Sequence, residues 1–393
     1  MEEGTLLEVI KRQKIDEARQ LFKQGEKLQK NLPYSEKNQV YLALTIKKAY
    51  DLIEILIKDG FVETDMYEYE SYDFSIFVPL FRNLGESPEE LEFIETFIAA
   101  LDNVNDAVQD KTLLDLALYH NVPVEVVKKL IVGGCDVNYR DNSQANYLHR
   151  IIQEFNIKED IGSAYIELFL SEGIDINEGN VVDETPLHFA VNKSKEKYIE
   201  LLLANGADPN QQDKRGESPF YCALAYQVCN NDLYRTLTKY AQPDFDMVNN
   251  EGIALLASTL RMRSRASEAD IDVIKSMIAD GADIYQESPY YGEPKSALDW
   301  IAEMPGQMLE AIIETGSIDI DRKDNKGNSI LHKVCAYNVN YDQEVARQVY
   351  RKAKLLIEKG ADVNSTNDLD QTPMMLAAQD NLKAKTVELL LKS

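Results

Sequence analysis

Between Glu184 and Asn210 the chain reads E-T-P-L-H-F-A-V-N-K-S-K-E-K-Y-I-E-L-L-L-A-N-G-A-D-P-N, and variants of that stretch recur along its length. Thr185 is placed to cap a helix, its hydroxyl accepting from an orphan backbone N–H. Pro186 suits the first helical position, where its missing N–H costs nothing. Leu187 and Ala190 share one face of a short first helix. Tyr198–Leu203 predicts a second helix, apolar at Ile199, Leu202 and Leu203. Gly206 ends it in the left-handed conformation, and Asp208, Pro209 and Asn210 begin a turn. Positions equivalent to Leu187 are Leu7, Tyr41, Phe77, Leu114, Leu148, Phe220, Leu256, Leu298, Leu331 and Met374, spaced 33 to 43 residues apart. A period of that length marks a repeat array, in which each unit leaves an apolar face to the next.

The units differ in regularity. Residues 1–110 hold three divergent ones, opened by T-L-L-E-V-I at Thr5–Ile10, Y-L-A-L at Tyr41–Leu44 and S-I-F-V-P-L at Ser75–Leu80. Residues 111–393 continue the array more regularly. T-L-L-D-L-A at Thr112–Ala117 precedes G-C-D-V-N at Gly134–Asn138, and S-I-L-H at Ser329–His332 precedes G-A-D-V-N at Gly360–Asn364. The eighth unit carries an insertion, Arg261–Asp270, between its helices. The units fill the sequence and leave no room for an appended domain.

T-P-L-H followed at this distance by G-A-D-P-N resembles the ankyrin repeat, over Lys111–Ser393 and, in weaker form, over the whole chain. The resemblance implies an all-α solenoid of helix-turn-helix units with projecting β-hairpin-like turns. It also implies a non-enzymatic scaffold that binds protein partners through a concave face and turn tips. The family uses the histidine of T-P-L-H to tie backbone together, which gives His149, His188 and His332 structural roles. Family contact positions carry over to Val181, Val182, Glu184, Asn192 and Lys193, to Lys214, Arg215, Glu217 and Tyr226, and to Asn325, Lys326, Asn328 and Tyr337.

Composition narrows the partner. With 42 basic and 67 acidic residues the formal charge is −25. That argues against nucleic acid and anionic membrane and suits a basic protein. Four cysteines at irregular spacing are no disulfide framework, so a reducing, cytoplasmic setting is expected. The N-terminus lacks the layout of a signal peptide, and no apolar run is long enough to span a membrane. A monomer is favoured. Neither a cofactor nor a catalytic group is expected. Cys222 and Cys229, seven apart on one helix face, lack a second ligand pair for a metal. Cys135 reads as a small core residue, and His120 as an exposed group between helices. Arg261, Arg263 and Arg265 form a basic island expected to pair with acidic neighbours. An inhibitor or immunity-type protein neutralising a basic toxin stays open, as does an exported effector enzyme built on the array.

Charge is also unevenly spread. Residues 1–50 hold 10 basic and 7 acidic side chains, whereas residues 51–110 hold 2 basic and 16 acidic. Within the acidic block, Glu63–Phe74 (E-T-D-M-Y-E-Y-E-S-Y-D-F) interleaves carboxylates with aromatics in a projecting connection. Tyr67, Glu68, Tyr69, Glu70, Tyr72 and Asp73 are therefore candidate contacts, tyrosine being a favoured interface anchor. The alternative is that the tyrosines pack beneath the loop and the carboxylates are only solvated.

Overall fold

The computed structural model describes residues 5–226, 231–263 and 266–393. Two compact units divide it, Met1–Gly206 and Ala207–Ser393. In the first, paired helices follow the repeat: Leu6–Lys11 with Ile15–Lys23, Tyr34–Ile46 with Tyr50–Lys58, and Phe77–Asn83 with Pro88–Ala99. Leu113–Tyr119 with Val124–Val132, Tyr147–Gln153 with Glu159–Ser171, and Pro186–Asn192 with Glu196–Ala204 complete it. In the second, Leu255–Arg261 pairs with Glu268–Ala279, Ala297–Glu303 with Gly306–Glu314, Ile330–Ala336 with Gln343–Glu358, and Pro373–Ala377 with Ala384–Lys392. Its opening pair is irregular: Pro219–Tyr221 runs into a π-helical turn, Cys222–Tyr226, before Asn231–Thr238.

Within each compact unit, first helices pack on first helices and second on second. The apolar stripes meet there, with Leu148, Leu187, Leu202 and Ile199 buried in the first unit and Leu298, Leu331, Val334 and Leu356 in the second. Capping fixes where first helices begin. Thr112, Asn146, Thr185, Ser296 and Ser329 close capping boxes with the residue three positions on.

The turns link the units. Asp136, Asp175, Asp208, Asp283 and Asp362, which follow the closing segments, each accept the N–H two residues on at 2.8–2.9 Å. Three asparagines of these turns then reach forward. Asn105 donates to Gly134 O (2.9 Å), Asn177 to Gly206 O (3.1 Å) and Asn210 to Gln242 O (2.8 Å). A second row of Asp and Asn residues shapes the projecting loops. Asn180 Oδ1 accepts from Val182 and Glu184, Asp213 Oδ1 from Arg215 and Glu217, and Asn367 Oδ1 from Leu369 and Gln371. Successive loops are joined by backbone: Val181 N to Ser143 O (2.7 Å), Asn250 N to Arg215 O (2.8 Å) and Asp368 N to Lys326 O (3.1 Å). One loop closes as a true hairpin, Glu287–Tyr290 paired antiparallel with Glu293–Ser296.

Three expectations are corrected here. The second unit's first helix starts at Tyr34, not near Tyr41, because Pro33 sets the helical entry and no turn residue interrupts the following segment. The insertion of the eighth unit is shorter than Arg261–Asp270. Arg261 ends one helix, and Ser267 with Asp270 forms the capping box of the next. His120 is half-buried at a helix C-cap, its ring against Tyr119, and burial beside Arg82 and Lys111 lowers its pKa to about 4.

Two buried lysines were not anticipated. Lys352 Nζ donates to Ala302 O (2.5 Å) and Met304 O (3.1 Å), and Lys383 Nζ to Cys335 O (2.8 Å). Each comes from one unit and satisfies carbonyls at the end of the preceding unit's first helix, which the helix itself leaves open. Burial lowers the Lys352 pKa to about 8. The unfolded chain, at about 10.4, then holds more protons than the folded one between those values, so stability rises with pH across that window. Relative to Lys352→Met, the native chain is expected to gain roughly 2–3 kcal/mol between pH 8 and pH 10.5. Paired denaturant titrations at the two pH values check this; a constant difference contradicts it.

Candidate functional site

The segment Glu63–Phe74 is pinned before it is presented. Glu63 Oε1 accepts from the N–H groups of Thr64 (2.9 Å) and Asp65 (3.0 Å). Asp65 Oδ1 accepts from Tyr67 N (3.0 Å) and Asn103 Nδ2 (2.8 Å). Backbone bonds Met66 N to Asp102 O and Asp102 N to Thr64 O fasten it to the next connection. Two short 3₁₀ turns follow, Met66–Glu68 and Tyr72–Phe74, with Met66 fully buried.

This pinning separates the three tyrosines. Tyr67 points out, 76% exposed. Tyr69 is half-buried, its hydroxyl donating to Glu63 O at 2.7 Å and its ring against Phe77. Tyr72 is only 6% exposed, so it is a core residue and not a contact, because its ring packs edge-on against Phe77. Its hydroxyl is buried without a hydrogen-bond partner. Phe74 is exposed and lies edge-on to Tyr34, whose hydroxyl donates to Asp73 O. Glu68, Glu70 and Asp73 are exposed, and among the described residues neither they nor Glu63 and Asp65 form an ion pair.

The carried-over positions divide similarly. Val181 and Val182 are exposed at a loop tip, and Asn192 at a helix end. Glu184 is half-exposed, and its carbonyl accepts from His149 Nε2 at 2.8 Å. Lys193 lies over the exposed Phe155 ring, 5.2 Å from its centroid. Lys214 and Arg215 are exposed, but Glu217 is buried at 4% exposure and is not a contact. Its carboxylate is occupied by the Tyr226 hydroxyl (2.6 Å) and Arg215 Nε (3.3 Å). Asn325, Lys326, Asn328 and Tyr337 are brought together on the wall of a cleft of about 790 Å³. Lys333 crosses it, Nζ lying 2.5 Å from both Asp299 and Asp324.

The remaining reactive groups are committed to the fold. His332 Nδ1 accepts from Ser329 N (3.2 Å), which leaves the proton on Nε2 to donate to Gln371 O (3.1 Å). Burial lowers the His149 pKa to about 4 and lowers that of His332 as well. Cys135, Cys222 and Cys335 are buried, and burial pushes the thiols of the first and last up to about 12. Cys222 sits in the π-helical turn, and Cys229 lies outside the described residues. No three His, Cys, Asp or Glu among the described residues are grouped so as to hold a metal. Of the basic island, Arg263 Nε lies 2.9 Å from Asp270 and Arg261 lies over the Tyr290 ring; Arg265 is outside the described residues.

A model of ankyrin repeats in three copies matches residues 113–213 and 157–251. Residues 113–251 carry ankyrin repeats, and the chain has the ankyrin-repeat fold. Its fold is shared with the ankyrin repeat domain of Bcl-3, a member of the IkappaB family, at 21% identity and a TM-score of 0.50, covering 64% of this chain and 100% of that one. A chain from the complex of a predatory endopeptidase with its immunity protein from Bdellovibrio bacteriovorus matches at 22% identity and a TM-score of 0.40, covering 53% of this chain and 97% of that one. No curated protein matches the sequence. Ankyrin repeats are protein-interaction scaffolds, and no described helix of this one is long and apolar enough to cross a membrane.

The first and last of the three loop tyrosines should separate experimentally. Tyr72→Phe removes a buried hydroxyl without a partner and should stabilise the chain by about 1 kcal/mol. Tyr67→Ser, at an exposed position, should change stability by less than about 0.5 kcal/mol. Urea unfolding of both variants measures the difference; a Tyr72→Phe chain weaker than the parent would show that the hydroxyl is satisfied.

Proposed function

We propose that this chain is a non-enzymatic scaffold that recognises a basic protein partner, with the outer face of Glu63–Phe74 as a principal contact. The observation that carries this reading is the set of five loop carboxylates, Glu63, Asp65, Glu68, Glu70 and Asp73, that form no ion pair among the described residues. An acidic protein with spare basic residues would cover them; this one places Arg19, Lys27, Lys48 and Lys129 on other carboxylates of the same block. Uncompensated charge of one sign steers a partner of the other sign and sets its on-rate. The exposed Tyr67 adds an aromatic anchor between Asp65 and Glu68. The unpaired thiols of Cys135 and Cys335 support a reducing, cytoplasmic setting.

The test uses the chain as bait against native lysate, beside a Tyr67→Ser/Glu68→Lys/Glu70→Lys variant. The parent should retain basic proteins that elute as salt approaches 1 M, where the Debye length is about 3 Å. The variant should bind them at least about 2 kcal/mol more weakly, roughly 30-fold in Kd. Equal retention by both baits would remove this segment from the contact surface, and a retained set without basic proteins would remove the charge argument.

A further inference from the structure

The cleft is lined by residues between 287 and 376. Its lining holds five acidic residues, Glu287, Asp299, Glu303, Asp324 and Asp368, against two lysines, Lys326 and Lys333. The lysines are already engaged. Lys333 bridges Asp299 and Asp324 on the floor, and Lys326 reaches out to Glu293 at 2.8 Å. Glu303 is taken by Lys295 at 2.7 Å. What remains unbalanced is Glu287 and Asp368, both exposed and without an ion pair among the described residues.

Two other features of the lining point to a peptide. The side-chain amides of Asn325 and Asn340 are exposed and make no hydrogen bond among the described residues. Each offers two donors and one acceptor in a plane, the complement of a backbone peptide group. Tyr337, half-buried, and Leu369, 76% exposed, supply apolar surface at the same cleft. Such surface takes the aliphatic stem of a long cationic side chain. The volume of about 790 Å³ falls in the roughly 300–1,000 Å³ range of ligand clefts, room for a few residues of chain and not for a folded domain.

We propose that this cleft receives an extended, lysine- or arginine-bearing segment of a protein partner. Glu287 and Asp368 meet its cations, Asn325 and Asn340 hold its backbone, and Tyr337 with Leu369 covers its stems. Nucleic acid and other polyanions are repelled by the same charges. The inference rests on the recognition reading above but not on the segment Glu63–Phe74.

The probe is a fluorescein-labelled heptapeptide alternating alanine with three lysines, titrated with the full chain by fluorescence anisotropy. Its glutamate counterpart and a backbone N-methylated version serve as comparisons. The lysine peptide should bind and the glutamate peptide should not. Glu287→Lys/Asp368→Lys should weaken binding at least about tenfold, with an unchanged melt because both positions are exposed. N-methylation should weaken it about fivefold through the lost backbone bonds. Glu68→Lys/Glu70→Lys should leave it within about twofold, since those charges belong to a different site. Absence of lysine-peptide binding, or equal binding by the Glu287→Lys/Asp368→Lys chain, overturns the proposal. A loss seen only with Glu68→Lys/Glu70→Lys also overturns it, while leaving the acidic loop as the basic-partner site. Displacement by a second copy of this chain or by an oligonucleotide, in place of the cationic peptide, would assign the cleft a different occupant and overturn it too.

Discussion

A side-chain amide that reaches from the end of one repeat to the backbone of the next is the contact on which this structure depends. Asn105, Asn177 and Asn210 each donate to a carbonyl beyond the following second helix, and Asn105 and Asn210 also accept from an N–H there. A helix pair of this size cannot bury its own apolar face, so its stability comes from its neighbours. The amides set the spacing at which those faces meet. The imidazoles of His149 and His332 do the same from the N-terminal turn of the first helix, and Lys352 and Lys383 add it at first-helix C-termini. In every case a polar group of one unit satisfies backbone of another, so the hydrogen bonds and the hydrophobic stripe enforce one register.

Register is held by backbone and by these polar groups, so many side chains at the loop tips are released from structural duty. The acidic loop shows how far that release goes. Met66 and Tyr72 are turned inward as anchors, while Tyr67, Glu68, Glu70 and Asp73 are left facing solvent. Around the cleft the division is the same: Lys333 and its two aspartates lock the floor, and Asn325, Asn340, Glu287 and Asp368 stay open at the rim. Charge left over after internal pairing is what a partner would meet.

Much of the architecture was legible in the sequence, for physical reasons. Cap residues, Pro186 and the closing glycines act locally, so the helix pairs could be placed from short motifs. What escaped was set by contacts distant in sequence. Tyr72 reads like Tyr67, and only packing against Phe77 takes it inside. Glu217 reads like an exposed turn carboxylate until Tyr226, nine residues on, donates to it. Lys352 and Lys383 look like solvent-facing helix residues, and nothing local reveals the carbonyls they reach 48 to 50 residues away. The hairpin at Tyr290–Glu293 did have a signal, Y-Y-G-E, whose tip residues Tyr291 and Gly292 both take positive φ.

The claim that each unit is held by its neighbours, and not by a single central core, is tested most directly by shortening the chain. A chain ending at Asp324 loses the last two helix pairs together with Lys352 and Lys383. Its far-ultraviolet circular dichroism through a thermal melt should show the helical signal of the remaining units, with a lower midpoint and a broader transition. A chain that is unfolded throughout at the starting temperature would contradict the account.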